Sequence, residues 1–280
     1  MTFEDIRYTQ QGSVATITFD RPASMNTARV QTHTELRAAL DAADTDESVR
    51  AVIVTGEGRA FCGGTDISQG FQLPEGGDPA SGRNIPPDVG GVTVLRLFRM
   101  RKPVIAAING AAAGFGATFT LAMDTRIAAQ GAKFAFPFTR RGICAESCSS
   151  WFLPRLVGMP AALDWMLSGR TFGADEALAR GLVQELLAPE DLLPRAIEIA
   201  EEIATNCAPA SVALNRRLLW QMLGAAHPAE AHMLESRGVA ATLAGPDSAE
   251  GVASFREKRP PRFTGRVSDA DFMDAWWPET

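Results

Sequence analysis

Two rhythms of apolar and polar residues alternate along the first half of this chain. Ser13-Val-Ala-Thr-Ile-Thr-Phe19 alternates β-branched and aromatic residues between Gly12 and Asp20-Arg21-Pro22, and so predicts a strand. Val30, His33, Leu36, Arg37 and Leu40 then recur at helical spacing. Arg50-Ala-Val-Ile-Val-Thr55 and Pro103-Val-Ile-Ala-Ala-Ile108 are short, continuous apolar runs. Such runs suit strands covered on both faces, as in parallel sheets. The alternation predicts an α/β fold built from βαβ units.

Between Gly70 and Gly91 glycine and proline accumulate, and the reading there is a long surface loop. Beyond about residue 145 the pattern turns helical. Leu192, Leu193, Ile197, Ala200 and Ile203 form one stripe; Leu214, Leu218 and Met222 form another. Residues 211–223 and 229–257 read as a helical C-terminal subdomain. The expected organisation is a core domain over 1–205, a helical, oligomer-forming subdomain over 206–260 and a tail over 261–280.

Composition narrows the function classes. The 280 residues are 46% hydrophobic and carry a formal net charge of −6, with no basic run, which argues against a nucleic-acid partner. The four cysteines form no CxxC pair, and the first residues lack a secretory pattern. The expectation is a cytoplasmic protein with reduced thiols and no metal. From Val104 to Met123 no charge occurs, a stretch long enough to cross a bilayer. Asn109 and three glycines inside it favour a buried strand, a turn and a helix instead, and no membrane association is expected.

The chemistry is expected at two glycine-bearing turns, each following a predicted strand. These are Arg59-Ala-Phe-Cys-Gly-Gly-Thr-Asp-Ile67 and Asn109-Gly-Ala-Ala-Ala-Gly-Phe-Gly-Ala-Thr118. Glycine lets backbone turn sharply and approach a ligand. The second turn enters a helix, whose first N–H groups have no internal partner. Two such turns side by side can offer two N–H donors to a developing oxyanion, each worth about 3 kcal/mol in sites of this kind. The spacing Gly110-x-x-x-Gly114-x-Gly116 is not that of a dinucleotide fold.

These turns, with Arg21-Pro22-x-x-x-Asn26, Lys102-Pro-Val-Ile-Ala-Ala-Ile-Asn-Gly110, Phe152-Leu-Pro-Arg-Leu-Val-Gly158, Leu167-Ser-Gly-Arg-x-Phe, Ala177-x-x-x-Gly-Leu-Val183 and Glu250-Gly-Val-x-x-Phe-x-Glu-Lys-Arg-x-Pro261, resemble the crotonase, or enoyl-CoA hydratase/isomerase, superfamily across nearly the whole chain. The resemblance implies a ββα spiral with a helical C-terminal region, assembled as a homotrimer or dimer of trimers. It implies an acyl-CoA substrate and no cofactor beyond the coenzyme A that the substrate carries. It assigns the oxyanion donors to the backbone N–H groups of Thr65 and Phe115, and expects the Phe115 ring to crowd the acyl group. Ala23 to Met25 would lie along the pantetheine arm, and Lys258 would reach a CoA phosphate, often across a subunit boundary. Gly63, Asp66, Ile67, Gly114, Thr118 and Phe138 would surround the bound acyl-CoA.

Two departures bear on the reaction. Hydratases of this superfamily carry two glutamates that hold water; Thr118 and Phe138 stand at those positions here. Neither can act as the acid or base that hydration needs. One acid remains, Glu146 in Gly142-Ile-Cys-Ala-Glu146, where isomerases of the superfamily carry an acid. A single carboxylate can carry a proton from one carbon to another. The favoured reading is an enoyl-CoA isomerase with Glu146 as proton shuttle, and Arg140 or Arg141 as potential ion-pair partners. A hydratase or hydrolase acting on a bulky acyl-CoA is a second class, and a catalytically silent acyl-CoA binder a third. Cys144, Cys148, His227 and His232 read as packing or surface residues, and Glu146 alternatively as a helix-terminus acid.

Overall fold

The structure, a computed structural model, describes residues 2–71 and 84–277. In chain order the elements are β1 (Ile6–Gln11), β2 (Val14–Phe19), α1 (Val30–Thr45), β3 (Ala51–Gly56), β4 (Ala60–Cys62), α2 (Val89–Phe98), β5 (Val104–Ile108), β6 (Ala111–Ala113), α3 (Phe115–Thr118), β7 (Thr125–Ala129), β8 (Lys133–Ala135), α4 (Ser149–Ser168), β9 (Thr171–Gly173), α5 (Ala174–Ala179) and β10 (Glu185–Leu187). Four helices close the chain: α6 (Pro189–Asn206), α7 (Pro209–Met222), α8 (Pro228–Ala244) and α9 (Pro246–Glu257). A short 3₁₀ stretch, Val267–Trp276, follows them.

The strands form two sheets. One has the order β1-β2-β3-β5-β7-β10, with β1 and β2 antiparallel and the rest parallel; the other has the order β4-β6-β8-β9. From β3 to β8 the chain alternates between them, so each turn of a spiral gives one strand to each sheet. The apolar runs explain the larger sheet. Val104, Ala106 and Ile108 of β5 point into the main core, while Ile105 and Ala107 pack on the opposite face beneath Leu192, Ala196 and Ala200 of α6. Strands covered on both faces have no polar face to show, hence the unbroken runs. The uncharged stretch from Val104 is accordingly β5, β6, α3 and a 3₁₀ turn, and among the described residues no helix is long and apolar enough to cross a membrane.

Two asparagines of the sequence motifs are tethers. Asn26 accepts from Arg21 N at 2.9 Å and donates to Glu57 O and Ala60 O at 2.9 and 2.8 Å. Asn109 accepts from Gly56 N and donates to Gly58 O. Together they fix the loop between β3 and β4. Buried Lys102 donates to Ala43 O and Asp46 O, closing the C-terminal end of α1; burial draws its pKa down to about 8.

The expected loop between Gly70 and Gly91 needs correction at its end. Helix α2 starts at Val89, its N-terminus capped by Asp88, whose side chain accepts from Gly91 N. Residues 72–83 of that loop lie outside the described residues. The C-terminal helices match the expectation for 211–223 and 229–257, with a break at Gly245 between α8 and α9. Leu214 and Leu218 are buried against Leu234 and the 3₁₀ stretch, whereas Leu219 and Leu223 face outward. Trp276 and Trp277 pack against that cluster too, with Arg217 over the Trp277 ring.

Candidate active site

The spiral brings the two glycine turns together. Strands β4 and β6 are parallel neighbours, Ala60 opposite Ala111 and Cys62 opposite Ala112. Both chains therefore leave the sheet at the same end, side by side. Gly64 has φ +105°, and a methyl group there would lie 2.9 Å from Ala113 O. On Gly116 it would lie 2.0 Å from Cys62 O, a contact no side chain can make. The first turn is held by Gly63 N donating to Met25 O, Ala28 N to Gly64 O and Asp66 N to Ala28 O. The second is held by Gly114 N donating to Ala135 O. Among the described residues neither Thr65 N–H nor Phe115 N–H has a backbone acceptor. Phe115 is the first residue of α3, where an N–H is orphaned by geometry.

The ring of Phe115 does not crowd this space, contrary to expectation. It is buried in the core, stacked on Phe119 at 5.2 Å and edge-on to His33 at 4.3 Å. A bulky residue is tolerated there because only its amide faces the turn. His33 is itself buried, with Nδ1 3.1 Å from Thr93 Oγ1. Burial, aided by the Arg37 charge, pulls its pKa down to about 4.

Both turns open onto a cavity of about 620 Å³. Gly63, Thr65, Asp66, Ile67, Gly114, Phe115, Phe138 and Glu146 line it, with Phe71, Pro137, Ile143, Arg140 and Arg141. From the segment after Pro22, Ser24 and Thr27 line the cavity rather than Ala23 and Met25. Thr118 is fully buried behind the wall. Lys258 ends α9 in a left-handed conformation (φ 56°) and is solvent-exposed, away from this cavity. Within one chain it does not meet the other site residues.

Two carboxylates reach the wall, in opposite states. Asp66 accepts from Ser68 N at 3.1 Å and Arg21 Nη2 at 3.2 Å, and these bonds, with Ser68 first, hold its pKa below the ordinary range. Glu146 has no ion pair among the described residues. Arg140 turns to Ser168 O at 2.7 Å instead. The Glu146 carboxylate accepts from Thr118 Oγ1 at 2.7 Å and from Ser147 Oγ. Removal from water drives its pKa up, and Asp88 adds to the rise, against those two hydrogen bonds. A carboxylate of raised basicity beside a cavity is suited to taking a proton from carbon.

Glu146 does lie just before α4, as the helix-terminus reading has it, but its carboxylate turns to the Thr118 and Ser147 hydroxyls. Cys148 is the residue preceding α4, and Ser147 and Cys148 are both left-handed, at φ 54° and 55°. That conformation costs a residue with a side chain roughly 1–2 kcal/mol, and here it turns Glu146 back toward α3. Thr118 is the hydroxyl partner of Glu146. Noted as a missing glutamate, it is a hydroxyl that orients the remaining one. Cys62 is buried with its thiol pushed up to about 12, Cys144 is exposed and Cys148 has its thiol raised by burial. His227 caps α8 and His232 is exposed.

The enoyl-CoA hydratase/isomerase family profile matches residues 9–266. The chain belongs to the enoyl-CoA hydratase/isomerase family. It is similar to the enoyl-CoA hydratase ACTT3 of Alternaria alternata, 42% identical over 89% of this chain and 82% of that protein. It is also similar to the 1,2-epoxyphenylacetyl-CoA isomerase of Escherichia coli K12, 33% identical over 90% of this chain and 95% of that one. Among solved structures, a probable enoyl-CoA hydratase/isomerase from Mycobacterium abscessus superposes with a TM-score of 0.85 at 35% identity, covering 93% and 98% of the two chains. The chain is an acyl-CoA-processing enzyme of the crotonase fold.

Proposed function

We propose that this family member is an enoyl-CoA isomerase that moves a double bond with Glu146 as the proton carrier. The observation that supports this most directly is the Glu146 carboxylate, partly buried on the cavity wall, of raised basicity and without a cation. In this reading the thioester oxygen accepts from Thr65 N–H and Phe115 N–H. Glu146 removes a proton from C2 of a 3-enoyl thioester, and the electrons pass into a dienolate whose oxygen the two amides stabilise. The same carboxyl returns the proton to C4, leaving the 2-enoyl thioester. No water is consumed, and Glu146 ends as it began. Arg140 and Arg141 line the cavity, and in this reading they meet an anionic part of the coenzyme.

A relative bearing the name hydratase at 42% identity favours a second reading, hydration with water held by Glu146 and Thr118. Rates on 3-enoyl-CoA and 2-enoyl-CoA, measured side by side, separate the two. Double-bond shift faster than hydration supports the isomerase; rapid hydration with no shift overturns it.

We further propose that the protein assembles as a trimer or a dimer of trimers. Leu163 and Leu167 of α4, Leu219 of α7, Leu243 of α8 and Phe255 of α9 are large apolar residues that a single chain leaves exposed. Lys258, remote from its own cavity, would then be available to a neighbouring one. Sedimentation at micromolar concentration giving a stable monomer would overturn this.

A further inference from the structure

The head of α2 lies directly against the Glu146 carboxylate. A methyl group on Gly90 would come within 2.2 Å of Ser147 Oγ and 2.4 Å of Glu146 Oε2, and could be housed only by displacing them. One residue earlier in the approach to this glycine, Val89 opens the helix, and Asp88 caps it. Asp88 Oδ1 accepts from Gly91 N at 2.5 Å and from Ser147 N at 3.3 Å, across a separation of 59 residues. Ser147 in turn is the residue whose hydroxyl donates to Glu146 and whose backbone is left-handed.

We propose that Asp88 is a positioning residue for Glu146: by clasping the Ser147 amide it holds the left-handed turn that aims the Glu146 carboxylate at the cavity. The inference rests on the isomerase reading, in which Glu146 carries the proton. A cap for α2 alone requires only the bond from Gly91. The second bond, to Ser147, joins helix and acid-bearing turn into one unit, so that the helix that caps itself also sets the carboxylate. Asp88 brings a like charge as well. The groups that face Glu146 are Asp88 from α2, Cys62 from β4, Cys148 from its own turn and the neutral hydroxyls of Thr118 and Ser147. Both thiols are raised by burial, and His33 of α1, which faces Asp88, is held near 4. Among the described residues Asp88 is therefore the like charge that Glu146 meets, and it favours the protonated acid.

The test is the pH profile of kcat for double-bond shift in wild type, Asp88→Asn, Asp88→Ala, Ser147→Ala and Gly90→Ala. Asp88→Asn keeps both acceptor bonds and loses the charge, so the acid limb moves to lower pH. Ser147→Ala deletes a donor to the carboxylate, so the limb moves to higher pH. Asp88→Ala frees the turn, and Gly90→Ala displaces the carboxylate; each lowers the plateau rate by about 10²-fold with KM near wild type. A wild-type plateau in Asp88→Ala overturns the proposal, and an Asp88→Asn limb that stays in place, or moves up, overturns the part given to the Asp88 charge. A merely structural cap would move thermal stability and leave the plateau rate alone; if Asp88→Ala does not fold, Asp88→Ser decides, since its shorter side chain still caps Gly91 N but cannot also hold Ser147 N. Glu146→Gln in the same assay keeps the two readings apart. An inactive Glu146→Gln beside unaltered Asp88 variants removes only the role of Asp88, whereas an active Glu146→Gln removes the assignment of the base itself.

Discussion

At the C-terminal end of α2, Arg216 donates to Leu97 O and Phe98 O at 3.3 and 3.1 Å and to Met100 O, and pairs with Asp124 at 2.8 Å. At the N-terminal end Asp88 and Glu146 approach each other, with no cation between them among the described residues. The first arrangement saturates everything: Asp124 also accepts from Trp220 Nε1 and Val104 N, both at 2.7 Å. Opposite charges, a favourable helix end and filled lone pairs make it a joint between α7 and the core. The second leaves a carboxylate partly desolvated, held by two hydroxyls and opposed by a like charge. Stability is made at one end of the helix and given up at the other, and the basicity that the proposed proton transfer needs comes from that deficit.

The sharpest way to break this comparison is to remove the acid. Glu146→Gln keeps shape and acceptor but carries no proton, and the isomerase rate should fall by about 10²–10⁴-fold with little change in acyl-CoA affinity. Single-turnover kinetics with equilibrium binding checks both halves. Loss of binding together with rate would show Glu146 to be a structural group.

At the opposite end the expected effect is on folding. Arg216→Met strands Asp124 and uncaps the carbonyls that end α2, a loss of about 3–5 kcal/mol by the usual cost of breaking a buried pair. Urea denaturation measures it. Activity per folded molecule should fall far less, because α2 is still pinned at its head. An Arg216→Met protein as stable as wild type would remove the contrast.

Midway along α2, Thr93 faces His33, and here the prediction concerns acid. The folded value of His33 is near 4 against an ordinary value of 6.5, so the folded state resists protonation. Its contribution to stability is complete above 6.5 and is lost as pH falls toward about 4. One such proton steepens the stability profile by up to about 1.4 kcal/mol per pH unit. His33→Gln should flatten the profile in that window, followed by thermal melts between pH 4 and 7.

The smallest effect sharpens the same contrast from the other side. Glu146 is raised in the folded state, so its ionisation disfavours folding. That penalty is absent below the ordinary value of 4.5 and grows as pH rises through the folded one. Glu146→Gln should therefore melt higher than wild type at pH 8 and lose the advantage by pH 4. An equal difference at both pH values would mean the gain comes from packing.

The strands of the larger sheet were legible because both faces of β3 and β5 are buried, which leaves runs no other element explains as simply. The smaller sheet was not. Its strands β4, β6, β8 and β9 are three residues long, too short to show a period, and their pairings lie far apart in sequence. Helix α2 was hidden for another reason: Gly90 and Gly91 sit in its first turn and lower its helix propensity, while Asp88 and Glu146 supply the reason for their presence. At the candidate site, the glycine turns and Glu146 stood out as residue types in context. What Thr118, Asp88 and the Phe115 ring do did not, because a hydroxyl 28 residues from its carboxylate and a ring turned into the core are facts of three-dimensional placement.

The alternation of the chain between its two sheets also governs when the site can come into being. Thr65 lies beyond β4, Phe115 beyond β6 and Glu146 beyond β8, so a chain emerging in order acquires them on three successive coils. Non-local parallel pairings must each close a long loop before any contact offsets its entropy, which places such topologies among slow folders. Gly64 of the first turn lies against Ala113 and Gly114, which belong to the next coil. An amino-terminal fragment ending before α3 has half of the amide pair and none of the acid. The spiral thus sets an order of assembly, in which the proposed site is completed only after the scaffold around it is wound.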